Sequence, residues 1–184
     1  MTPLCNLAQK HGTNKADDGY THIYYFLLKD HPPKRILEVG IGWPGESAGA
    51  SKHGASLYMW EEFFPDAKIY GIDNKPYTMI NKGRIQSFLA DVEHPTSLVA
   101  AAIEAGGNFD FIIDDAVHLT DVQISVATAL LPFLSKNGVY VIEDIHAGVD
   151  AEAMRQRIPP QYHAAWIKCA RGETIMVIRH REDR

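Results

Sequence analysis

Short apolar runs, rich in β-branched and aromatic residues, alternate with helix-length stretches along most of this chain, and that alternation constrains the fold more than any other feature. The runs fall at 35–40 (RILEVG), 68–73 (KIYGID), 84–90 (RIQSFLA), 109–114 (FDFIID) and 138–143 (GVYVIE), with two more at 164–169 and 174–179. The first, second, fourth and fifth are almost continuously apolar, as strands covered on both faces must be. Helices are expected at 20–28, 56–64, 95–105, 122–134 and 151–157. Ser56 is read as the N-cap of the second and Pro65 as its stop, while Asn137-Gly138 marks the passage from helix to strand. Repeated strand–helix units build a parallel sheet. Only Ala170-Arg171-Gly172-Glu173 separates the last two runs, a connection so short that it forms a hairpin and turns the last strand antiparallel.

The expected architecture is therefore a mostly parallel seven-stranded α/β sheet ending in an antiparallel hairpin, with helices on both faces. That outline resembles the Rossmann-like class I methyltransferases, although a fold alone does not assign a function. At 184 residues the chain suits one domain, 1–184, in which 1–30 forms an N-terminal helical segment completing the cofactor site. A net charge of -5 and the absence of a basic stripe argue against nucleic acid as a partner. The basic tail Arg179-His180-Arg181 runs straight into Glu182 and Asp183 and reads as a solvated end. Cys5 and Cys169 lie near opposite ends without CxxC spacing, which argues against a zinc cluster or a disulfide framework. No apolar run reaches membrane-spanning length, and the N-terminus lacks the apolar core of a signal peptide, so a cytoplasmic location without membrane association is expected.

The first run leads into Glu38-Val39-Gly40-Ile41-Gly42-Trp43-Pro44-Gly45, a literal GxGxxG. Glycine at a strand-to-helix turn lets backbone approach a ligand with no Cβ in the way. In a dinucleotide site the helix opens inside this motif and the ribose-binding acid follows about 20 residues on. Here a loop through Gly54 intervenes, and the acid ending the second run is Asp73, 33 residues after Gly40. The spacing disfavours NAD and suits an adenosine whose ribose hydroxyls bond Asp73 without need of phosphates, as in S-adenosylmethionine (SAM).

Two acidic clusters follow, Asp114-Asp115 with His118 after the fourth run and Glu143-Asp144 after the fifth. Ligands of open parallel sheets bind at the carboxyl ends of the strands, so both clusters should face one crevice. Carboxylates gathered there repel one another unless a cation sits among them. An all-oxygen donor set suits Mg²⁺ better than Zn²⁺; the bland alternative is acids that cap helices and bind water. His118 lies within reach of anything bound there and is the side chain best suited to take a proton near neutral pH.

These motifs together resemble the metal-dependent O-methyltransferases of antibiotic sugars, typified by the macrolide sugar enzymes. The resemblance covers 12–144. His11-Gly12-Thr13-Asn14-Lys15 with His22 and Tyr24 is similar to that family's GTDK-then-HxY signature. The segments 54–60 and 64–73, Ile113 to His118 (family IDDGSH) and Val141 to Asp144 (family VIED) complete the match. It implies SAM contacts from Glu38, Gly40, Gly42, Gly45, Asp73, Asp91 and Asp114, to which Ser56 is added. It also implies metal ligation by Asp115, Glu143 and Asp144 and a general base at His118. Ala116-Val117 stands where the family has Gly-Ser, and the macrolide enzymes carry an additional N-terminal domain.

The implied reaction is direct displacement on the SAM methyl group by a hydroxyl of a small diol-bearing molecule. The acceptor would chelate Mg²⁺ and lose its proton to His118. A natural-product sugar is the leading acceptor and a catechol-like diol the runner-up. A SAM-binding protein without turnover is the rival from another class. A homo-oligomer is left open.

Overall fold

The computed structural model describes residues 1–42, 53–146 and 148–181. Among the described residues, six α-helices, α1 (Pro3–His11), α2 (Tyr20–Leu28), α3 (Ala55–Phe63), α4 (Pro95–Glu104), α5 (Thr120–Leu130) and α6 (Ala151–Gln156), flank one sheet. Its strands are β1 (Arg35–Val39), β2 (Lys68–Asp73), β3 (Asn81–Lys82), β4 (Ile85–Leu89), β5 (Phe109–Asp114), β6 (Leu134–Ile145), β7 (Tyr162–Lys168) and β8 (Thr174–His180). They lie in the order β3-β4-β2-β1-β5-β6-β8-β7. The β4, β2, β1, β5 and β6 ladders are parallel, and β8 inserts antiparallel between β6 and β7.

The expected parallel core and closing hairpin are present, with three corrections. The sheet has eight strands rather than seven, because the two-residue β3 pairs antiparallel with β4. Ser56 is not an N-cap: Gly54, in the left-handed region at φ 65°, precedes α3, and Ser56 lies inside the helix. Asn137-Gly138 does not mark where a helix ends. The α5 helix stops at Leu130, and β6 already begins at Leu134. The extra residues form an irregularity, since Phe109 pairs with Leu134 but Phe111 with Val139. A turn-prone pair can be absorbed by a bulge without ending its strand.

Alternation along the strands divides the interior into two cores. Leu37, Val39, Ile112 and Ile142 face α4 and α5. Ile36, Phe111, Ile113 and Val141 face α1, α2 and α3. Glu38 and Glu143 follow the second parity, so their carboxyls enter the side covered by the N-terminal helices. The sequence carries its own signals for that cover. Thr2 caps α1 by accepting from the Cys5 amide, Pro3 takes the first helical position, and Gly12 ends the helix at φ 80°. No described helix is long and apolar enough to cross a membrane.

Candidate active site

A cleft of about 510 Å³ opens at the carboxyl ends of β1, β2, β5 and β6, in the size range of small-molecule sites. Gly40, Gly42, Ser56, Asp73, Asp115, His118 and Asp144 line it among others. Gly40 is required twice over. Its φ is 86°, and a Cβ there would lie 2.2 Å from the Asp115 carbonyl oxygen, so glycine lets the β1 and β5 loops cross at the cleft floor. Asp73 ties the glycine loop to the end of β2, its two oxygens accepting from the Ile41 amide at 3.2 Å and the Lys75 amide at 3.0 Å. Each oxygen keeps a further lone pair for a ligand hydroxyl. Gly45 lies outside the described residues.

Other residues expected at the cofactor stand behind the cleft wall. Glu38 is fully buried and accepts from the Ser56 hydroxyl and the Trp60 indole, both at 2.7 Å. It fixes the start of α3 against β1. Asp91 caps its own turn by accepting from the Glu93 amide, and its neighbour Val92 is the residue that reaches the cleft. Asp114 follows the opposite parity, into the α4–α5 side, and is 1% exposed. Burial pushes its carboxyl up to about 8, with the Ala116 amide and His118 only partly opposing.

The two acidic clusters do meet, and a cation does sit among them, supplied by the protein. The Lys15 ammonium donates to Asp115 Oδ2 at 2.6 Å and Glu143 Oε2 at 2.5 Å, and lies 3.4 Å from Glu38 Oε1. It arrives from the N-terminal segment: after Gly12 reverses the chain, the Thr13 side chain accepts from the Lys15 amide and opens a single 3₁₀ turn. Burial alone would lower the lysine pKa, but Asp115, Glu143 and Glu38 outweigh it and hold it well above the usual range. Burial likewise pushes Glu38 and Glu143 up, whereas Lys15 and His118 overcome burial at Asp115 and bring it down. The Tyr24 hydroxyl donates to the other Glu143 oxygen, and the Tyr20 hydroxyl to Asp144 Oδ1. Spacing arguments missed Lys15, Tyr20 and Tyr24 as site residues. The GTDK-like stretch and Tyr24 in the family signature were the available signals.

On the cleft side, His118 Nε2 stands 3.5 Å from Asp115 Oδ1 and 3.4 Å from Asp144 Oδ2. Asp115 beside it raises the imidazole pKa, burial opposes, and Asp144 adds to the rise. Asp144 reaches this position through backbone in the left-handed region, φ 51°, within a register shift between Ile142 and Ile145. That conformation is uncommon outside glycine, though acidic and amide residues tolerate it best. Ligand atoms of Asp115, His118 and Asp144 all lie within 4.8 Å of one another, the one such trio among the described residues. Of the expected metal set, Asp115 and Asp144 thus turn oxygens toward the cleft, while both oxygens of Glu143 are engaged. Two carboxylates completed by substrate oxygens and water are a donor set that Mg²⁺ accepts.

Strand order, cleft position and the acid ending β2 define the class I methyltransferase fold. The comparisons narrow the likeness to enzymes that methylate the sugars of antibiotics. No protein-family model matches. The chain is 33% identical over 149 residues to the 8-demethyl-8-(2-methoxy-alpha-L-rhamnosyl)-tetracenomycin-C 3'-O-methyltransferase of Streptomyces olivaceus, covering 77% of this chain and 36% of that protein. It is 33% identical over 115 residues to the mycinamicin VI 2''-O-methyltransferase of Micromonospora griseorubida, covering 60% of this chain and 27% of that protein. Among solved structures, the MycE methyltransferase of the mycinamycin biosynthetic pathway, in complex with Mg, SAH and mycinamycin VI, superposes with a TM-score of 0.67 at 30% identity. That superposition covers 78% of this chain and 37% of MycE. The SAH-bound Podospora anserina methyltransferase PaMTH1 matches 99% of this chain and 89% of its own, with a TM-score of 0.62 at 16% identity, which shows the fold. The matches span only 27–37% of the length of these sugar enzymes.

Proposed function

We propose that this chain is a SAM-dependent, magnesium-assisted O-methyltransferase acting on a hydroxyl of a small diol-bearing molecule, in the first instance a natural-product sugar. One observation carries the reading: the glycine loop and Asp73 open onto the same cleft as Asp115, Asp144 and His118. A cofactor-binding half and a proton-handling half share one wall, as transfer from SAM to a hydroxyl requires. The resemblance to sugar O-methyltransferases supports the acceptor class.

In this scheme Asp73 takes the ribose hydroxyls and the Gly40–Gly42 backbone follows the cofactor. Ser56 stands on the same wall, while Glu38, Asp91 and Asp114 support the site from behind it. Asp115 and Asp144, with Glu143 behind them, would hold the ion, which would supply charge stabilisation at the acceptor oxygens. His118 accepts the acceptor's proton at its imidazole nitrogen. Residues 1–30 complete the site by placing Lys15, Tyr20 and Tyr24 against the acids.

Calorimetry tests the cofactor half: S-adenosylhomocysteine should bind at micromolar Kd or tighter, about 8 kcal/mol, without competition from NAD. A methyl-transfer assay on vicinal-diol sugars, with and without EDTA, tests the other half. His118→Ala should lower turnover roughly 10²–10⁴-fold while S-adenosylhomocysteine still binds. Because Asp115 raises the imidazole pKa, turnover should climb with pH through the neutral range. Tight NAD binding with none by S-adenosylhomocysteine would sink the reading, and activity indifferent to EDTA would remove the metal from it.

A further inference from the structure

Of the acids at the cleft, Asp144 is the one the sheet holds least. Ile142 and Ile145 on either side of it pair with Met176 and Thr174 of β8, and the register shifts between those two pairs. Asp144 lies in that gap with backbone in the left-handed region, φ 51°, a conformation sparsely populated outside glycine. The ladder therefore fixes the flanking residues and leaves the aim of the Asp144 carboxyl to side-chain contacts. Glu143 differs: Lys15 and Tyr24 bond its carboxylate, and the Gln123 side chain donates to its backbone carbonyl at 2.9 Å. Among the described residues, one side chain donates to the Asp144 carboxylate in hydrogen-bonding geometry, through the hydroxyl of Tyr20.

We propose that Tyr20 is a positioning residue of the metal site: by bonding Oδ1 it holds Asp144 with Oδ2 toward the cleft, and so sets how tightly a divalent ion binds. The proposal rests on the methyltransferase reading and on the ion that reading gives to the acid cluster.

Tyr20 is itself firmly held. It is 1% exposed, and its ring lies 6.4 Å from that of Tyr24, which meets Trp60 at 5.8 Å and Phe111 at 5.3 Å. A hydroxyl on a packed ring has little freedom, so it imposes its position on the carboxylate instead of following it. The start of α2 is braced as well, by the turn between β7 and β8. Gly19 opens the helix at φ 86°, and a Cβ there would lie 3.2 Å from the Ala170 nitrogen and Cβ. The Arg171 guanidinium next to it lies 3.4 Å from Asp18 Oδ1 and 3.5 Å from Asp17 Oδ2. The C-terminal hairpin thus packs on the residues that lead into Tyr20. On the cleft side, the result is Asp144 Oδ2 at 3.4 Å from His118 Nε2, which stands 3.5 Å from Asp115 Oδ1. Without the Tyr20 bond the carboxylate can turn, and one corner of the Asp115–His118–Asp144 trio is no longer fixed.

Mn²⁺ is the probe in the full chain, its binding counted by loss of the free-ion EPR signal, with and without S-adenosylhomocysteine. Tyr20→Phe keeps the ring and removes only the hydroxyl. It should bind Mn²⁺ about tenfold or more weakly than wild type, the scale at which the partners of metal ligands matter, with S-adenosylhomocysteine affinity within about twofold. In an Asp144→Asn background the same substitution should change Mn²⁺ affinity by less than about twofold, because the carboxylate it orients is gone. A tyrosine that merely packs would lower the melting temperature and leave Mn²⁺ affinity alone, and that result overturns the proposal. An equal loss in both backgrounds overturns it too, by placing the effect away from Asp144, as does Mn²⁺ bound by neither wild type nor any variant. Should Asp144→Asn bind no measurable Mn²⁺, the comparison of wild type with Tyr20→Phe decides. S-adenosylhomocysteine binding by the wild type is the control. Its loss would strike the methyltransferase reading itself, whereas unchanged Mn²⁺ affinity in Tyr20→Phe with that binding intact strikes the role of Tyr20 alone.

Discussion

Beneath α1–α3 the sheet buries Glu38 and Glu143, and each carboxyl oxygen there meets a lysine, tyrosine, serine or tryptophan donor. Beneath α4 and α5 the same strands bury Leu37, Val39, Ile112 and Ile142. The polar side chains that strands β5 and β6 bury on that side, Asp114 and Tyr140, meet no hydrogen-bonding side chain, and for Asp114 the Ala116 amide and His118 offset burial only in part. One face is a satisfied charged network reaching the cleft; the other is an apolar core with two poorly compensated groups. A buried network is expensive wherever it is incomplete, so its placement under the cleft indicates where the fold spends stability on chemistry. If that contrast is right, polar substitutions should be costly on the first face and beneficial on the second.

The largest effect is expected at Asp114. Burial raises its carboxyl from the ordinary 3.8 to about 8, so ionising it in place costs up to roughly 6 kcal/mol. A folded-state pKa above the unfolded one gives a contribution that is intact below the unfolded value and is lost as pH rises through the folded one. Wild type should therefore lose stability from near pH 4 to near pH 8, and Asp114→Asn should lose much less. Urea midpoints at pH 5 and pH 8 measure it, with the advantage of the variant growing at the higher pH. An unchanged gap would mean that Asp114 is compensated and the second face is not purely apolar.

Glu38→Ala should come next, at about 3–5 kcal/mol of lost stability, because one truncation strands the Trp60 indole, the Ser56 hydroxyl and part of the Lys15 charge. Glu38→Gln keeps acceptor and shape and should cost less than half as much in the same urea titration. Equal costs would reduce the network to packing. On the apolar face, Leu130→Ala should cost about 3 kcal/mol by leaving a cavity among fully buried neighbours. Calorimetry should find its S-adenosylhomocysteine affinity unchanged, since that face is remote from the cleft lining.

The same contrast explains what could be read from sequence. Strands buried on both faces are legible as apolar runs, so 68–73 and 109–114 coincide with β2 and β5 to the residue. The acids at strand ends, Asp73, Asp115 and Asp144, stand out because they interrupt those runs, and the fold brings all three to one cleft. Parity also tells which way a strand residue points, and it places Asp114 and Glu38 behind the wall. The network was not legible from spacing, because its cation lies 100 and 128 residues from the carboxylates it bonds. No local rule ties a lysine in a 3₁₀ turn to strand ends across the sheet. The register shift that swings Asp144 into the cleft was hidden for the same reason, and so was the bulge that absorbs Asn137-Gly138.

Ser56 gives the smallest and most discriminating test. As an N-cap it would contribute about 1 kcal/mol through a backbone amide, but Gly54 holds that position and the Ser56 hydroxyl donates to Glu38 instead. Ser56→Ala leaves Glu38 bonded to Trp60 and close to Lys15, so one hydrogen bond of two is lost and the cost should be about 1 kcal/mol. Members of one network couple, so the doubly substituted Ser56→Ala, Glu38→Gln protein should lose less stability than the sum of the two singles, by roughly 0.5 kcal/mol or more. Ser56 also lines the cleft, and a direct bond to cofactor would show as weaker S-adenosylhomocysteine binding at unchanged coupling. Additive stabilities with unchanged affinity would leave Ser56 outside both the network and the cofactor site, and the boundary of the charged face would then fall at Trp60.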